Sequence, residues 1–300
     1  MGPLFVTGVS GYVGRHLLDL IETGQFEAVY CLVRESSTLP KRPRLEIVRG
    51  DLLDADSYLN ALTHCESVLH LAAMTGKARP ADYFRVNLEG TRALLDGCRR
   101  AGIRRFLYVS TIAAKFRDQS YYYYAQSKRQ AETAVQASGT PYTIVRPTMI
   151  FGPEAPVLLS LTKLAKAPFI PVLGSGRTPV QPLFVDDLAR CLLSILRGTF
   201  ENNVIELGGP QVIGIGELLR RVRRARGWGE GRTINLPAGI AISTLAFLEK
   251  LFFGLWPVTA GQLASFANDG TASVNQRLLE WQAGMKGIDD MLRLSYHADG

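Results

Sequence analysis

A doubly wound α/β fold built on a parallel sheet is what this sequence predicts, and three observations carry it. The segment Thr7-Gly8-Val9-Ser10-Gly11-Tyr12-Val13-Gly14 directly follows the apolar run Leu4-Phe5-Val6, almost at the start of the chain. Short apolar, β-branched runs then alternate with helix-like stretches through the first half. The residues with recognisable chemistry fall at the ends of those runs or on the helices behind them, where ligands lie in such folds.

The strands are expected at 4–6, 28–33, 45–48, 67–70, 105–109 and 143–145, and the helices at 12–22, 54–63, 81–101 and 123–138. Past Arg146-Pro147 the rhythm loosens, because Pro153, Pro156, Pro168, Pro171, Pro179 and Pro182 interrupt short segments. A sheet strand at 183–185, a helix capped by Asp186-Asp187 and a strand at 204–207 resume the pattern. The sequence thus divides into a dinucleotide-binding domain over 1–150, its sheet completed by about 183–210, and a smaller C-terminal substrate lobe from 151–182 and 211–300.

Composition narrows the classes. Three hundred residues with 47% hydrophobic content suffice for a large core. The formal charge is +7 and the isoelectric point about 9.3. Basic clusters at Lys41-Arg42-Pro43-Arg44, Arg99-Arg100 with Arg104-Arg105, and 220–226 raise nucleic acid or anionic lipid as partners. No aromatic stripe accompanies them, and the last cluster follows Leu218-Leu219 at helical spacing, so solvated helix faces are the expectation and nucleic acid is not. The four cysteines, Cys31, Cys65, Cys98 and Cys191, lack metal-ligand spacing and are read as buried thiols of a cytoplasmic protein. With the first strand expected to begin by residue 3 or 4, no signal peptide is expected in this sequence. The apolar stretch 240–256, broken by Glu249-Lys250 and Gly254, is expected as a lobe helix, with peripheral membrane contact a minor alternative.

The glycine turn has the form that holds a dinucleotide pyrophosphate. Gly8 permits a sharp exit from the strand, Gly11 lets backbone approach phosphate, and Gly14 removes a side chain where helix meets strand. The helix N-terminus, with Ser10, Tyr12 and Val13 in the same turn, offers N–H groups to the anion. Twenty residues after Gly14 stands Arg34. A carboxylate there favours NAD(H), whereas an arginine fork suits a 2′-phosphate, so NADP(H) is expected over NAD(H), with Glu35 next door as the counter-signal. In Gly50-Asp51-Leu52, Asp51 either faces the adenine amino group or caps a helix. Tyr124 and Lys128 lie four apart, so on a helix phenol and ammonium share a face, and the cation favours phenolate. Ser110-Thr111 ends the strand before them.

Together these residues resemble the short-chain dehydrogenase/reductase superfamily, in particular its extended, Rossmann-type NAD(P)-dependent epimerase/dehydratase branch. The matching pieces are TGVSGYVG (7–14), GDL (50–52), HLAA (70–73), NLEGTRALLDGC (87–98), YVST (108–111), YAQSK (124–128), RPTMIFGP (146–153), FVDDLA (184–189) and ELGGP (206–210). The segment PVLGSGRTPVQPLFVDDLA looks like atypical members related to the NAD(P)H-binding accessory subunit of respiratory complex I. The resemblance implies Tyr124 as general acid/base, Lys128 lowering its pKa and holding the nicotinamide ribose, and Thr111 on the same substrate oxygen, with Ser110 as fallback. It further implies backbone of Leu71, Ala72 and Ala73 lining the cofactor, Asn87 steadying the centre, and Pro147 through Ile150 bordering the nicotinamide. The family also suggests a homodimer through helices 81–101 and 123–138, supported if both have apolar outer faces. One departure stands out: Ala113-Ala114-Lys115-Phe116 replaces Val-Tyr-Gly, and only thirteen positions separate Thr111 from Tyr124. The expectation is an NADP(H)-preferring oxidoreductase or epimerase acting on a small-molecule substrate, with an NADPH-binding assembly or redox-sensing protein as the rival.

Overall fold

The structure, a computed structural model, describes residues 1–21, 25–37, 39, 42–198, 202–252, 259–273 and 276–296. Glu22, Lys41 and the end of the apolar stretch at 253–256 lie outside the described residues. β1 (Leu4–Thr7) leads into α1 (Tyr12–Leu20), followed by β2 (Val29–Val33), β3 (Leu45–Arg49), α2 (Leu59–Leu62) and β4 (Ser67–His70). Next come α3 (Pro80–Tyr83), a π-helical stretch Phe84–Glu89, α4 (Gly90–Ala101), β5 (Arg105–Val109), α5 (Tyr123–Gln136) and β6 (Tyr142–Pro147). The second half holds β7 (Ile150–Phe151), α6 (Pro156–Lys166), β8 (Phe169–Leu173), β9 (Pro179–Val180), β10 (Leu183–Phe184) and α7 (Val185–Arg197). It ends with β11 (Asn203–Leu207), β12 (Ile213–Gly214), α8 (Ile215–Ala225), β13 (Arg232–Leu236), α9 (Ala238–Phe252), α10 (Ala260–Ser265), α11 (Gln276–Gln282) and α12 (Ile288–Tyr296).

Among the described residues seven strands form one sheet in the order β11-β6-β5-β4-β1-β2-β3. β1 pairs in parallel with both β2 and β4, β2 with β3, β4 with β5, and β5 with β6. The chain places β2 and β3 on one side of β1 and then crosses to β4 on the other. That reversal opens a crevice at the C-terminal ends of β1 and β4, the place where doubly wound sheets take ligands. Phe5, Val68, Phe106, Tyr108 and Ile144 pack into a core with Leu62, Leu94, Cys98, Ala131 and Val135 of the covering helices. Burial pushes the thiols of Cys31 and Cys65 up to about 12, so both stay protonated.

The chain divides into two compact units. The first comprises Met1–Ala114, Gln126–Arg146 and Leu188–Ile205; the second comprises Lys115–Ala125, Pro147–Asp187 and Glu206–Gly300. Within the second unit β10 pairs with β7, β12 runs antiparallel to β9, and β13 runs parallel to β8.

Four local expectations are corrected. The strand expected at 183–185 does not join the central sheet: Leu183 donates to the Met149 carbonyl, and Leu183-Phe184 pair with Ile150-Phe151 instead. The helix expected at 54–63 breaks at Tyr58, because Ser57 Oγ donates to the Asp54 carbonyl and accepts from Asp51 N–H, competing with the helical ladder. The helix expected at 81–101 is interrupted by the π-helical stretch, which contains Asn87. Asp187 stands in the first turn of α7, but its buried carboxylate accepts from the backbone N–H and ammonium of Lys286, so it ties down a later segment of its own unit.

Candidate active site

The first unit builds its site at the sheet's reversal point. Gly8 has φ +77, and a Cβ there would lie 2.4 Å from Ala72 N, so only glycine lets β1 and the strand-end loop of β4 come together. A Cβ on Gly14 would lie 2.4 Å from the Gly8 carbonyl oxygen. Gly11, by contrast, is the exposed N-cap of α1 and meets only that same oxygen, at 3.1 Å. Among the described residues no side chain caps α1, and its first turn carries no acid, an arrangement that suits an anion at the leading N–H groups.

A directional hydrogen-bond chain runs through the floor of this site. Ala72 N–H donates to Thr7 Oγ1 at 3.2 Å, and Thr7 lies 2.6 Å from His70 Nδ1. His70 Nε2 lies 3.0 Å from Thr91 Oγ1, which donates to the Asn87 carbonyl at 2.6 Å. Because Thr91 spends its proton on that carbonyl, the imidazole donates from Nε2 and accepts from Thr7 at Nδ1. The Asn87 side chain continues the chain, accepting from Met74 N–H at 2.7 Å and donating to the Met74 carbonyl and to Ser127 Oγ. Asn87 is therefore fully engaged in holding the 71–74 loop to α5, and both of its amide protons are spent. Spacing alone gives no role to Thr7, His70, Thr91 or Ser127; the one signal for them is a histidine ending the strand Ser-Val-Leu-His.

Lys128 is 1% exposed on the inner face of α5. Its ammonium donates to the Val109 carbonyl at 2.8 Å and lies 4.1 Å over the Tyr108 ring. One turn further on, Glu132 forms a two-pronged pair with Arg146 of β6, at 2.6 and 2.9 Å. Tyr124 stands one turn ahead of Lys128 on the same helix, half-buried, its ring 5.8 Å from that of Tyr122. Tyr121 and Tyr122 precede α5, and on the helix Tyr123 stands four residues before Ser127 while Tyr124 stands four before Lys128. Just after β5, Thr111 Oγ1 accepts from Ala113 N–H at 3.3 Å. Ser110 is 4% exposed, and its hydroxyl has no hydrogen-bond partner among the described residues.

The outer cofactor positions differ in character. Arg34 is exposed, and its guanidinium makes no ion pair among the described residues. Arg49 of β3 donates to the carbonyls of Arg34, Glu35 and Ser37, clamping the loop that carries it. Asp51 accepts from Leu53 N–H at 3.0 Å, which folds the turn after β3, and Leu52 accepts from the Tyr58 hydroxyl through its carbonyl. In the second unit Pro147 ends β6, Thr148 donates to the Gln181 carbonyl, and Ile150 opens β7. The exposed side of α4 carries Arg92, Asp96, Arg99 and Arg100 in ion pairs, so pairing that helix with a second copy would rest on charged contacts rather than apolar ones.

Burial, reinforced by the charge of Lys128, lowers His70 well below its ordinary range. Burial likewise brings Lys128 down to about 7, against an opposing pull from Glu132. The unfolded chain therefore binds protons on both groups before the folded one does, and acid costs stability. Lys128 contributes the loss between its unfolded value of about 10.4 and its folded value of about 7; His70 contributes it below about 6.5. Each adds up to about 1.4 kcal/mol per pH unit within its window. Urea midpoints measured from pH 9 to pH 5 should fall steadily; equal midpoints across that range would contradict the assignment.

Comparison with known proteins identifies the frame. The family model for NAD dependent epimerase/dehydratase matches residues 4–208. The chain belongs to the NAD-dependent epimerase/dehydratase family. Among curated relatives, a ceramide reductase of Caulobacter vibrioides is 37% identical over 201 residues, covering 65% of this chain and 61% of that protein. A Mycobacterium tuberculosis 3 beta-hydroxysteroid dehydrogenase/Delta 5-->4-isomerase is 37% identical over 120 residues, covering 37% of this chain and 32% of that protein. The mitochondrial NADH dehydrogenase 1 alpha subcomplex subunit 9 of Dictyostelium discoideum is 27% identical, covering 77% of this chain and 65% of its own length. The chain thus spans less than two thirds of each of these relatives. In fold it is similar to the Bordetella bronchiseptica enzyme WbmH solved with NAD+, at a TM-score of 0.73, 18% identity and complete coverage of both chains. This family member's glycine turn and the α1 N-terminus, uncapped among the described residues, fit a bound dinucleotide.

Proposed function

We propose that the protein is an NADP(H)-preferring oxidoreductase that moves hydride at a carbinol or carbonyl carbon, with Tyr124 as general acid/base. The observation that carries this reading is Lys128, buried and bonded to the Val109 carbonyl at the end of β5, the strand that Ser110 and Thr111 follow, with Tyr124 one helical turn away. The bound nicotinamide would supply or accept the hydride. The backbone of Gly8 to Gly14 would hold its pyrophosphate, and the 71–74 loop, fixed by His70 and Asn87, would line it. Thr111 or Ser110 would donate to the substrate oxygen while the Tyr124 phenol exchanges its proton. In its protonated form Lys128 would favour the phenolate and hold the ribose.

Arg34 supports NADP(H). With Arg34→Glu, NADPH affinity should fall at least about tenfold while NADH affinity holds or improves, as read by fluorescence titration. An unchanged NADPH affinity would return Arg34 to the solvated surface. For the substrate, an apolar ketone or alcohol is favoured, since the relatives named above include a ceramide reductase and a hydroxysteroid dehydrogenase. The direct test of the reading is to follow a deuteron from the nicotinamide into such a product. The similarity to a respiratory-complex subunit keeps a second reading, a cofactor-binding assembly protein without turnover. Tyr124 and Lys128 favour the enzyme, because a purely structural role does not require that pair.

A further inference from the structure

The second unit carries an apolar surface that the hydride-transfer reading does not use. β8 and β13 run side by side in register, Phe169 with Arg232, Ile234 with Pro171 and Leu236 with Leu173. Paired residues of a parallel ladder share a face, so Phe169, Pro171, Ile234 and Leu236 form one side of this two-stranded sheet. That side is open at three positions, Phe169 being 54%, Ile234 47% and Leu236 39% exposed, and closed at Leu173, which is buried. The chain passes straight on into α9, where Ile240 is 69% and Phe247 62% exposed, seven residues apart and so on one helix face. Five of the twelve exposed large hydrophobic side chains among the described residues thus lie on β8, β13 and the helix that directly follows β13.

The segments that lead into it carry cations unpaired among the described residues, while the nearest acids, Glu230 and Glu249, are engaged with Arg224 and with Ala260 N–H. Lys163 and Lys166, in the last turns of α6 just before β8, and Arg232, on the apolar side of β13, are exposed and make no ion pair among the described residues. The stretches 163–174 and 232–247 contain no Asp or Glu, and the whole chain carries +7. We propose that this face, the open side of β8 and β13 with the outer face of α9, seats the protein on an anionic lipid bilayer. Apolar side chains would enter the headgroup boundary while Lys163, Lys166 and Arg232 meet lipid phosphates. The charge selects this occupant over a second copy, because a two-fold pairing would set one cationic rim against another. No described helix is long and apolar enough to cross a membrane, so the geometry is that of a surface seat. The inference stands apart from the hydride chemistry, since its test needs no turnover.

The test is co-sedimentation of the purified full chain with phosphatidylcholine vesicles, with and without phosphatidylglycerol. Wild type should bind the anionic vesicles at least about tenfold better than the neutral ones, with the difference lost in high salt. Ile240→Glu with Phe247→Glu, at two open positions, should reduce binding to the neutral-vesicle level. Lys163→Glu, Lys166→Glu and Arg232→Glu together should abolish the anionic preference, and they keep the test decisive should the apolar variant fail to fold. Absence of wild-type binding, or full binding by both variants, overturns the proposal. So does a wild-type dimer in sedimentation velocity that the Ile240/Phe247 variant dissociates, which would assign the face to a second copy.

Discussion

Tyr124→Phe is expected to lower kcat by about 10²–10⁴-fold while leaving NADPH affinity within about twofold, since a positioned acid/base group is worth that much in proton transfer. The substitution removes one hydroxyl and keeps the ring, so the 5.8 Å contact with Tyr122 survives and α5 keeps its start. The residues that would grip the dinucleotide, from Gly8 to Gly14 and along 71–74, are untouched. A structural role for Tyr124 would give the opposite split, with a lower melting temperature and turnover nearly intact. Steady-state kinetics on an apolar ketone, with a fluorescence titration of NADPH, separate the two outcomes.

Gly11→Asp is expected to weaken NADPH binding by about 100-fold, or about 2.7 kcal/mol, without lowering stability. Gly11 is the N-cap of α1 with φ −76 and ψ 174, ordinary extended backbone that aspartate adopts readily. An aspartate is among the preferred N-caps and complements the helix dipole, so the folded protein should be as stable as wild type or slightly more so. The Gly8 carbonyl, 3.1 Å from the new Cβ, needs to yield by only a few tenths of an ångström. The carboxylate would take the N–H groups that a pyrophosphate needs and repel its charge. Gly14→Ala makes the contrast: its Cβ would press to 2.4 Å from the Gly8 oxygen and 2.5 Å from Val9 Cα, so that variant loses stability as well as cofactor. A Gly11→Asp protein that melts normally and binds NADPH as wild type does would remove the turn from the cofactor site.

Much of the first unit is legible in the sequence because each feature has a local cause. β1, β4, β5 and the start of α5 follow from apolar runs and periodicity, and the glycine turn from its position between strand and helix. What is not legible is set by distant partners. Nothing around residue 183 says that Leu183 bonds to Met149 and leaves the main sheet. The role of His70 depends on Thr7, 63 residues away, and on Thr91, 21 residues away, so periodicity alone reads it as a strand end. Asn87 was visible as a site residue, but only its bonds to Met74 and Ser127 show that its amide is spent inside the fold. The region around β13 and α9 is apolar in sequence, yet apolar residues ordinarily go inside. Only the register with β8 shows which of them face outward.

The central claim is transfer of hydride to a substrate carbon. The measurement that tests it most directly is mass spectrometry of a reduced ketone formed with NADPH deuterated at C4 of the nicotinamide. Deuterium from one face of the ring should appear on the new carbinol carbon, and its appearance should stop in Tyr124→Phe while the cofactor still binds. Tightly bound NADPH that never yields its label to any apolar ketone or alcohol–ketone pair, in protein that is otherwise intact, would contradict the account and leave a cofactor-binding protein without chemistry.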